Sequence, residues 1–237
     1  TPSINICMLI NEITSHELNE GPNDPHIFKA VFLAGGPGSG KSYVAGKLLS
    51  GFGLKTVNSD DIYEYLAKKQ DLDLSDPDQV YSDRGQEIRN RAKELTMSQQ
   101  AGYLHGRLGL IIDGTGKNVD KVKKQSESLK LLGYETMMLF VNTSEDVAQA
   151  RNTQRARRLP TKVVNQMWNQ VQDNIMGFQQ VFGASNFFVV DNSGGQEDPE
   201  RKQNFEQIYK NVRTWVNTPV RNRQANAWLA VQSKSDK

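Results

Sequence analysis

The sequence predicts an α/β fold of three layers, with a mostly parallel central sheet flanked by helices. Two observations carry this reading. Short apolar runs alternate along the chain with longer helical patterns, as parallel strands joined by crossover helices require. The first run, ending at Leu33-Ala34, also passes through a glycine-rich loop straight into a helical pattern, a strand–loop–helix unit typical of such sheets. At 237 residues the chain is long enough for one large domain with modest extensions.

In chain order, strands are expected at 29–34, 55–58, 108–113, 135–141 and 186–190. Each is an apolar run of strand length that closes on a polar or glycine cluster. Helices are expected at 41–50, 61–70, 83–106, 118–132, 145–157, 161–181 and 200–216. The stretch from Arg84 to His105 lacks proline and carries Ile88, Leu95 and Leu104, which favours one long helix. Trp168, Phe178, Phe182, Phe187 and Phe188 are read as core aromatics. Residues 1–27 are expected to form an N-terminal extension whose end, NEGPNDPH, is rich in turn formers. Residues 28–217 form the expected core domain. The remainder, 218–237, is polar and reads as a loosely attached tail.

Composition narrows the function classes. A hydrophobic content of 37% and a net charge of +2 describe an ordinary globular chain with no global case for nucleic-acid binding. Cys7 is the only cysteine, so no intrachain disulfide can form. His16, His26 and His105 are scattered and lack metal-ligand spacing. No apolar run is long enough to span a bilayer, and the first residues lack a signal-peptide pattern, so a cytoplasmic location without membrane contact is expected.

Residues 31–42, VFLAGGPGSGKS, contain G-x-x-x-x-G-K-[ST] in Gly35, Gly40, Lys41 and Ser42, the phosphate-binding loop of nucleotide triphosphatases and kinases. The fold prediction sharpens accordingly to the three-layer P-loop NTPase/kinase fold. Gly36, Pro37, Gly38, Ser39, Gly40, Lys41, Ser42 and Tyr43 are expected to surround the nucleotide phosphates, with the helix start adding its positive end. Lys41 would reach the β- and γ-phosphates of ATP or GTP, and the Ser42 hydroxyl would ligate Mg²⁺.

Ligands in open α/β sheets gather at the carboxyl ends of the strands, so the residues that follow each strand matter. The second strand runs into Ser59-Asp60-Asp61. Asp60 is assigned as the base that orients and deprotonates an acceptor hydroxyl, and Asp61 as a capping or supporting acid. Tyr63 and Tyr65 flank this base, and Tyr63 is placed against the acceptor. The third strand closes as LIID-GTGK, with Asp113 in the position of a Walker B carboxylate and Thr115 facing substrate. Asp113 is therefore a candidate for both Mg²⁺ and acceptor contact. Residues 151–158 hold four arginines ahead of Pro160 and read as a mobile lid. Arg151 and Arg158 would neutralise charge on the transferred phosphoryl group, with Arg155 beside the nucleotide.

The order GGPGSGKS, NSDD, IIDGTGK, GYETMMLFV and then the arginine-rich segment resembles the zeta-toxin family of P-loop kinases, over about residues 29–190. The resemblance implies phosphorylation of a nucleotide sugar such as UDP-N-acetylglucosamine, or a related small acceptor, from ATP or GTP. It implies nucleotide and metal contacts for Lys41 and Ser42, a base at Asp60, acceptor contact at Asp113 and lid roles for Arg151 and Arg158. The family usually carries Asn between its two acids, whereas this chain reads Asn58-Ser59-Asp60.

The chain is also similar to the kinase half of phage-type polynucleotide 5′-kinases, and in that reading nucleic acid enters only as the acceptor. Those enzymes place an arginine three residues after the base, where this chain has Tyr63, and no D-x-D-x-T phosphatase motif occurs. An NTP-driven switch would want a water-positioning Glu or Gln after Asp113, where Gly114 stands. A non-catalytic nucleotide-binding module would have no chemical use for Asp60.

Overall fold

The computed structural model describes residues 24–155, 158–195 and 197–235. Cys7, His16, Arg157 and most of the expected N-terminal extension lie outside them. The strands are β1 (Lys29–Ala34), β2 (Lys55–Val57), β3 (Leu110–Asp113), β4 (Glu135–Asn142) and β5 (Phe187–Asp191). They form one sheet in the order β2-β3-β1-β4-β5, and every pairing is parallel. The helices are α1 (Lys41–Leu48), α2 (Ser59–Lys69), α3 (Pro77–Tyr81), α4 (Asp83–His105), α5 (Val119–Leu131), α6 (Glu145–Thr153), α7 (Thr161–Asp173), α8 (Ile175–Phe182), α9 (Pro199–Asn217) and α10 (Arg223–Ser235). Among the described residues no helix is long and apolar enough to cross a membrane.

The two-residue period of the central strands sorts their side chains into two cores. Phe32, Ile112, Met138 and Phe140 face one layer with Leu129 of α5 and Phe178 and Phe182 of α8. Val31, Leu33, Met137, Leu139 and Val141 face the other, against Val44 and Leu48 of α1 and Ile208, Val212 and Val216 of α9. All of β1 is buried, which is why KAVFLA reads as one continuous apolar strand. A third cluster joins α2 to α4 through Ile62, Tyr63, Leu66, Ile88, Ala92 and Leu95. The Arg84 guanidinium donates to the Gln70 carbonyl, and the Arg89 guanidinium carbon lies over the Tyr63 ring. The two helices therefore run antiparallel, and their hairpin rises from the carboxyl end of β2. Register aligns the strand ends: Leu33 pairs with Asp113, and Val57 with Ile112.

Several elements differ from expectation. The single helix expected over 161–181 is two, α7 and α8, hinged at Asn174. There the Asn174 Nδ2 donates to Gly116 O at 2.8 Å, tying the break to the loop after β3. The helix expected at 145–157 ends at Thr153, and Asn152 then brackets the main chain of Leu159 with bonds of 2.8 and 3.0 Å. Helix α3 had no counterpart in the reading, although Asp76 caps it and Pro77 opens it. The polar tail is not loose over its described length: α10 buries Ala225 and sets Trp228 edge-on to Phe28 at 5.5 Å. Among the expected core aromatics, Phe178, Phe182 and Phe187 are buried. Trp168 is only partly so, and its Nε1 donates to Thr143 O at 2.8 Å.

Candidate active site

The glycine-rich loop has its shape for two steric reasons. Gly38 and Gly40 hold φ of 75° and 84°, in the left-handed region. A Cβ on Gly38 would lie 2.4 Å from Ala148 O, and one on Gly40 2.4 Å from Asn192 Nδ2. The loop thus rests directly on its neighbours. Helix α1 begins at Lys41 with no side-chain cap, leaving its first N–H groups to an anion. Lys41 Nζ donates to Gly35 O at 2.9 Å and folds back over the loop. Burial lowers the Lys41 pKa, and the Arg155 charge acts the same way, while Asp113 and Asp60 oppose both.

Behind the loop sits a network that the sequence reading missed. Asn192, immediately after β5 and 2% exposed, donates from Nδ2 to Ser39 O at 2.7 Å. Its Oδ1 accepts from Arg201 Nε and Nη2 at 3.1 and 2.8 Å, and its carbonyl accepts from Arg151 Nη2 at 2.9 Å. Arg151 Nη1 lies 3.3 Å from Gly38 O and 3.4 Å from Ser39 O. Arg151 was expected in the lid. The structure places it against the loop carbonyls, as a brace from the side. The Arg201 guanidinium lies over the rings of Tyr43, at 5.2 Å, and Phe205, at 4.8 Å. The strand-end rule that singled out Asp60 and Asp113 would have found Asn192 had it been applied to β5.

The carboxylates meet on the opposite side of Lys41. Asn58, not an aspartate, caps α2 by accepting from Asp60 N at 2.9 Å. The capping role assigned to Asp61 therefore belongs to Asn58. The Asn58 Nδ2 donates to Asp61 Oδ1 at 3.1 Å and to Asp113 Oδ2 at 3.2 Å, bridging the ends of β2 and β3. Asp60 itself is exposed in the first turn. Burial raises the Asp113 carboxyl, Lys41 pulls it back, and Asp61 and Asp60 add to the rise. Asp61 is raised by burial and by Glu64 and Asp60.

The remaining expected residues spread around this centre. Ser42 and Tyr43 are exposed at the start of α1, and Thr115 is exposed after β3. Gly116 between Thr115 and Lys117 serves packing: its φ is 72° and a Cβ would lie 2.9 Å from Ala34 Cβ. Arg155 and Arg158 are exposed, with Arg158 Nε 3.4 Å from Arg155 O. Tyr63 is 2% exposed and covered by the Arg89 guanidinium, 4.9 Å from its ring centre.

These residues fit a nucleotide phosphate chain and a divalent cation. Asp113 Oδ1 and Ser39 Oγ are buried without a hydrogen-bond partner. No group of three or more His, Cys, Asp or Glu among the described residues could cage a metal by itself. That suits a cation shared between one or two protein oxygens and substrate phosphates.

Comparison with known proteins agrees with the fold. A chain from the PezAT chromosomal toxin-antitoxin system of Streptococcus pneumoniae superposes with a TM-score of 0.56 at 16% identity, over 88% of this chain and 94% of that one. A putative kinase from Chloroflexus aurantiacus gives 0.53 at 15% identity, over 78% and 97%. The AvrRxo1-ORF1:-ORF2 structure with ATP gives 0.56 at 16% identity, over 86% and 71%. A search of curated proteins finds no match. The sequence model of the family described as Zeta toxin matches residues 16–213. With its all-parallel sheet and its glycine-rich loop ahead of α1, the chain belongs to the zeta toxin family of the P-loop kinase fold.

Proposed function

We propose that this chain is a kinase that moves the γ-phosphoryl group of ATP or GTP to a hydroxyl of a small acceptor, of which a nucleotide sugar is the first candidate. The observation that carries the reading is the Asn58 bridge. It draws the ends of β2 and β3 together, so that Asp60 and Asp113 both act on Lys41. Lys41 and the backbone N–H groups of Gly38 and of Gly40 to Tyr43 hold the β- and γ-phosphates. Asp60 takes the proton of the acceptor hydroxyl as its oxygen bonds to the γ-phosphorus, and the bond to the β–γ bridging oxygen breaks to release the nucleoside diphosphate. Arg155 and Arg158 close on the transferred group, while Arg151 and Asn192 keep the loop in place. Mg²⁺, held by Ser42 and Asp113, supplies charge neutralisation when bound.

The test is phosphoryl transfer from labelled ATP or GTP with Mg²⁺, to a UDP-sugar panel and separately to 5′-hydroxyl oligonucleotides. Label in a sugar is the expected result, and label in an oligonucleotide would move the chain to the polynucleotide-kinase reading. Asp60→Asn is expected to keep nucleotide binding and lose about a hundredfold or more in turnover. Unchanged turnover in that variant removes Asp60 as the base.

A further inference from the structure

The antiparallel hairpin of α2 and α4 holds three polar atoms that the fold does not satisfy. Arg89 Nε, Arg89 Nη2 and Tyr63 Oη are buried and have no hydrogen-bond partner. The central carbon of the Arg89 guanidinium lies over the Tyr63 ring, 4.9 Å from its centre. Tyr63 stands three residues after Asp60 on α2, so the pair lies one helical turn from the exposed aspartate at the strand ends. Buried guanidinium N–H groups with no acceptor are costly, and native folds retain few of them. Here the unpaired atoms have a particular geometry. Nε and Nη2 form the side edge of the guanidinium, the edge that takes two oxygens of a phosphate or carboxylate at once. The Tyr63 ring supports the guanidinium carbon from below, and the Tyr63 hydroxyl, also buried without a partner, is a further donor.

We propose that Arg89, seated on Tyr63, is a specificity-determining residue that binds an oxyanion of the phosphoryl acceptor. The acceptor class is accordingly a hydroxyl compound that also carries a phosphate or a carboxylate. This rests on the kinase reading above for the identity of the bound molecule as acceptor. Arg89 as a whole is only half-buried, so a ligand is reached by a small movement that keeps the guanidinium over Tyr63, while Ile88 and Ala92 hold α4 against α2. The arginine comes from α4, a different element from the base, which leaves the position after Asp60 free for the tyrosine that supports it.

The test reads binding separately from turnover. Protein saturated with Mg²⁺ and a non-hydrolysable ATP analogue is titrated with glycerol 3-phosphate, glycerate and glycerol. These probes share a hydroxylated three-carbon frame and differ in the anion. The wild type is expected to bind one anionic probe about tenfold or more tightly than glycerol, and which one it prefers separates a phosphate from a carboxylate site. Arg89→Gln is expected to abolish that preference, Arg89→Lys to retain part of it as a point charge, and Asp60→Asn to leave it intact.

Thermal unfolding of Arg89→Gln is expected to match or exceed the wild type, because an unpaired buried cation is removed. A lowered melting temperature would make Arg89 a structural cover for Tyr63 and overturn the assignment. So would equal preference in wild type and Arg89→Gln, or no anion preference in the wild type. If the preference is present but no acceptor in the panel is phosphorylated, the kinase reading fails and the anion site stands. If transfer occurs at the same rate and KM in Arg89→Gln, the anion site fails and the kinase reading stands.

Discussion

Replacing Asn192 by leucine tests whether the P-loop is held from behind by side chains. Leucine keeps the branched shape of the buried residue, with methyl groups in place of the amide, and removes three bonds: Nδ2 to Ser39 O at 2.7 Å, and the two from Arg201 to Oδ1 at 3.1 and 2.8 Å. A hydrogen bond to an ionised group contributes about 1.5–3 kcal/mol and a neutral one about 1 kcal/mol. Arg201 is 8% exposed, and its guanidinium would retain one hydrogen bond, 3.3 Å to Gly195 O, beside its contacts with the Tyr43 and Phe205 rings. The apolar replacement offsets part of this, which leaves an expected loss of about 4 kcal/mol. For a chain of this size that lowers the melting temperature by about 8–16 °C.

Asn192→Asp separates stability from binding. It keeps the acceptor for Arg201 but turns a carboxylate toward Ser39 O in place of the donor. Its stability loss should be smaller, about 1–2 kcal/mol, while nucleotide affinity falls further than stability because the loop is pushed out of shape. Urea unfolding and calorimetric titration with ATP and GTP measure the two effects. An Asn192→Leu variant within about 0.5 kcal/mol of wild type refutes the reasoning, since ordinary surface changes already span that range.

Three other perturbations probe separate parts of the fold. Gly116→Ala forces a left-handed φ on a residue with a side chain and crowds Ala34 Cβ at 2.9 Å and the Phe178 ring at 3.5 Å. A loss of about 2–4 kcal/mol in urea unfolding is expected, and a loss below about 0.5 kcal/mol contradicts the packing argument. Asp113→Asn is expected to stabilise the protein at neutral pH. Burial raises the folded-state pKa of this carboxyl, so its charged form costs stability above that pKa, and the cost is relieved as pH falls through it toward the unfolded value. The advantage of Asn over Asp should therefore shrink as pH is lowered, and a difference constant with pH counts against the assignment. Trp228→Ala removes the edge-on contact to Phe28 at 5.5 Å. About 2–3 kcal/mol and faster amide exchange over 223–235 are expected; unchanged exchange there would mean that α10 is not held by this contact.

The strands were legible because burial is continuous along them. KAVFLA and the centre of ETMMLFVN are buried on both faces, so an apolar run of that length has few other uses. The loop and the acids were legible because their chemistry constrains spacing along the chain. What escaped the reading acts across it. Asn192 reaches Ser39 and Arg151, and Arg89 reaches Tyr63, between elements whose proximity only the sheet order and the α2–α4 hairpin create. The break at Asn174 carries no proline or glycine, and its cause is a bond to Gly116 on another element. The last helix was hidden by average polarity, although Ala225, Trp228 and Leu229 keep the three- and four-residue spacing of one buried face.

The distribution of satisfied and unsatisfied polar atoms argues for a division of labour around the loop. Asn192 directs its side-chain donor to the loop and its side-chain acceptor to Arg201, and its carbonyl accepts from Arg151 and from the Thr143 hydroxyl. The carboxylate side is different. Asp113 Oδ1, Tyr63 Oη and two nitrogens of Arg89 are buried there without partners; of the other such atoms among the described residues, Ser39 Oγ belongs to the loop beside Gly35, and Arg107 Nε follows α4 at the other end of the sheet. Unpaired buried groups are expensive, so their concentration near the strand ends is not what selection for stability alone would leave. A phosphate loop whose Gly38 and Ser39 carbonyls are already braced loses little entropy on meeting a nucleotide. Donors and acceptors held unpaired across from Lys41 can be satisfied only by something that enters there, and this ties the affinity of the site to the chemistry of the acceptor.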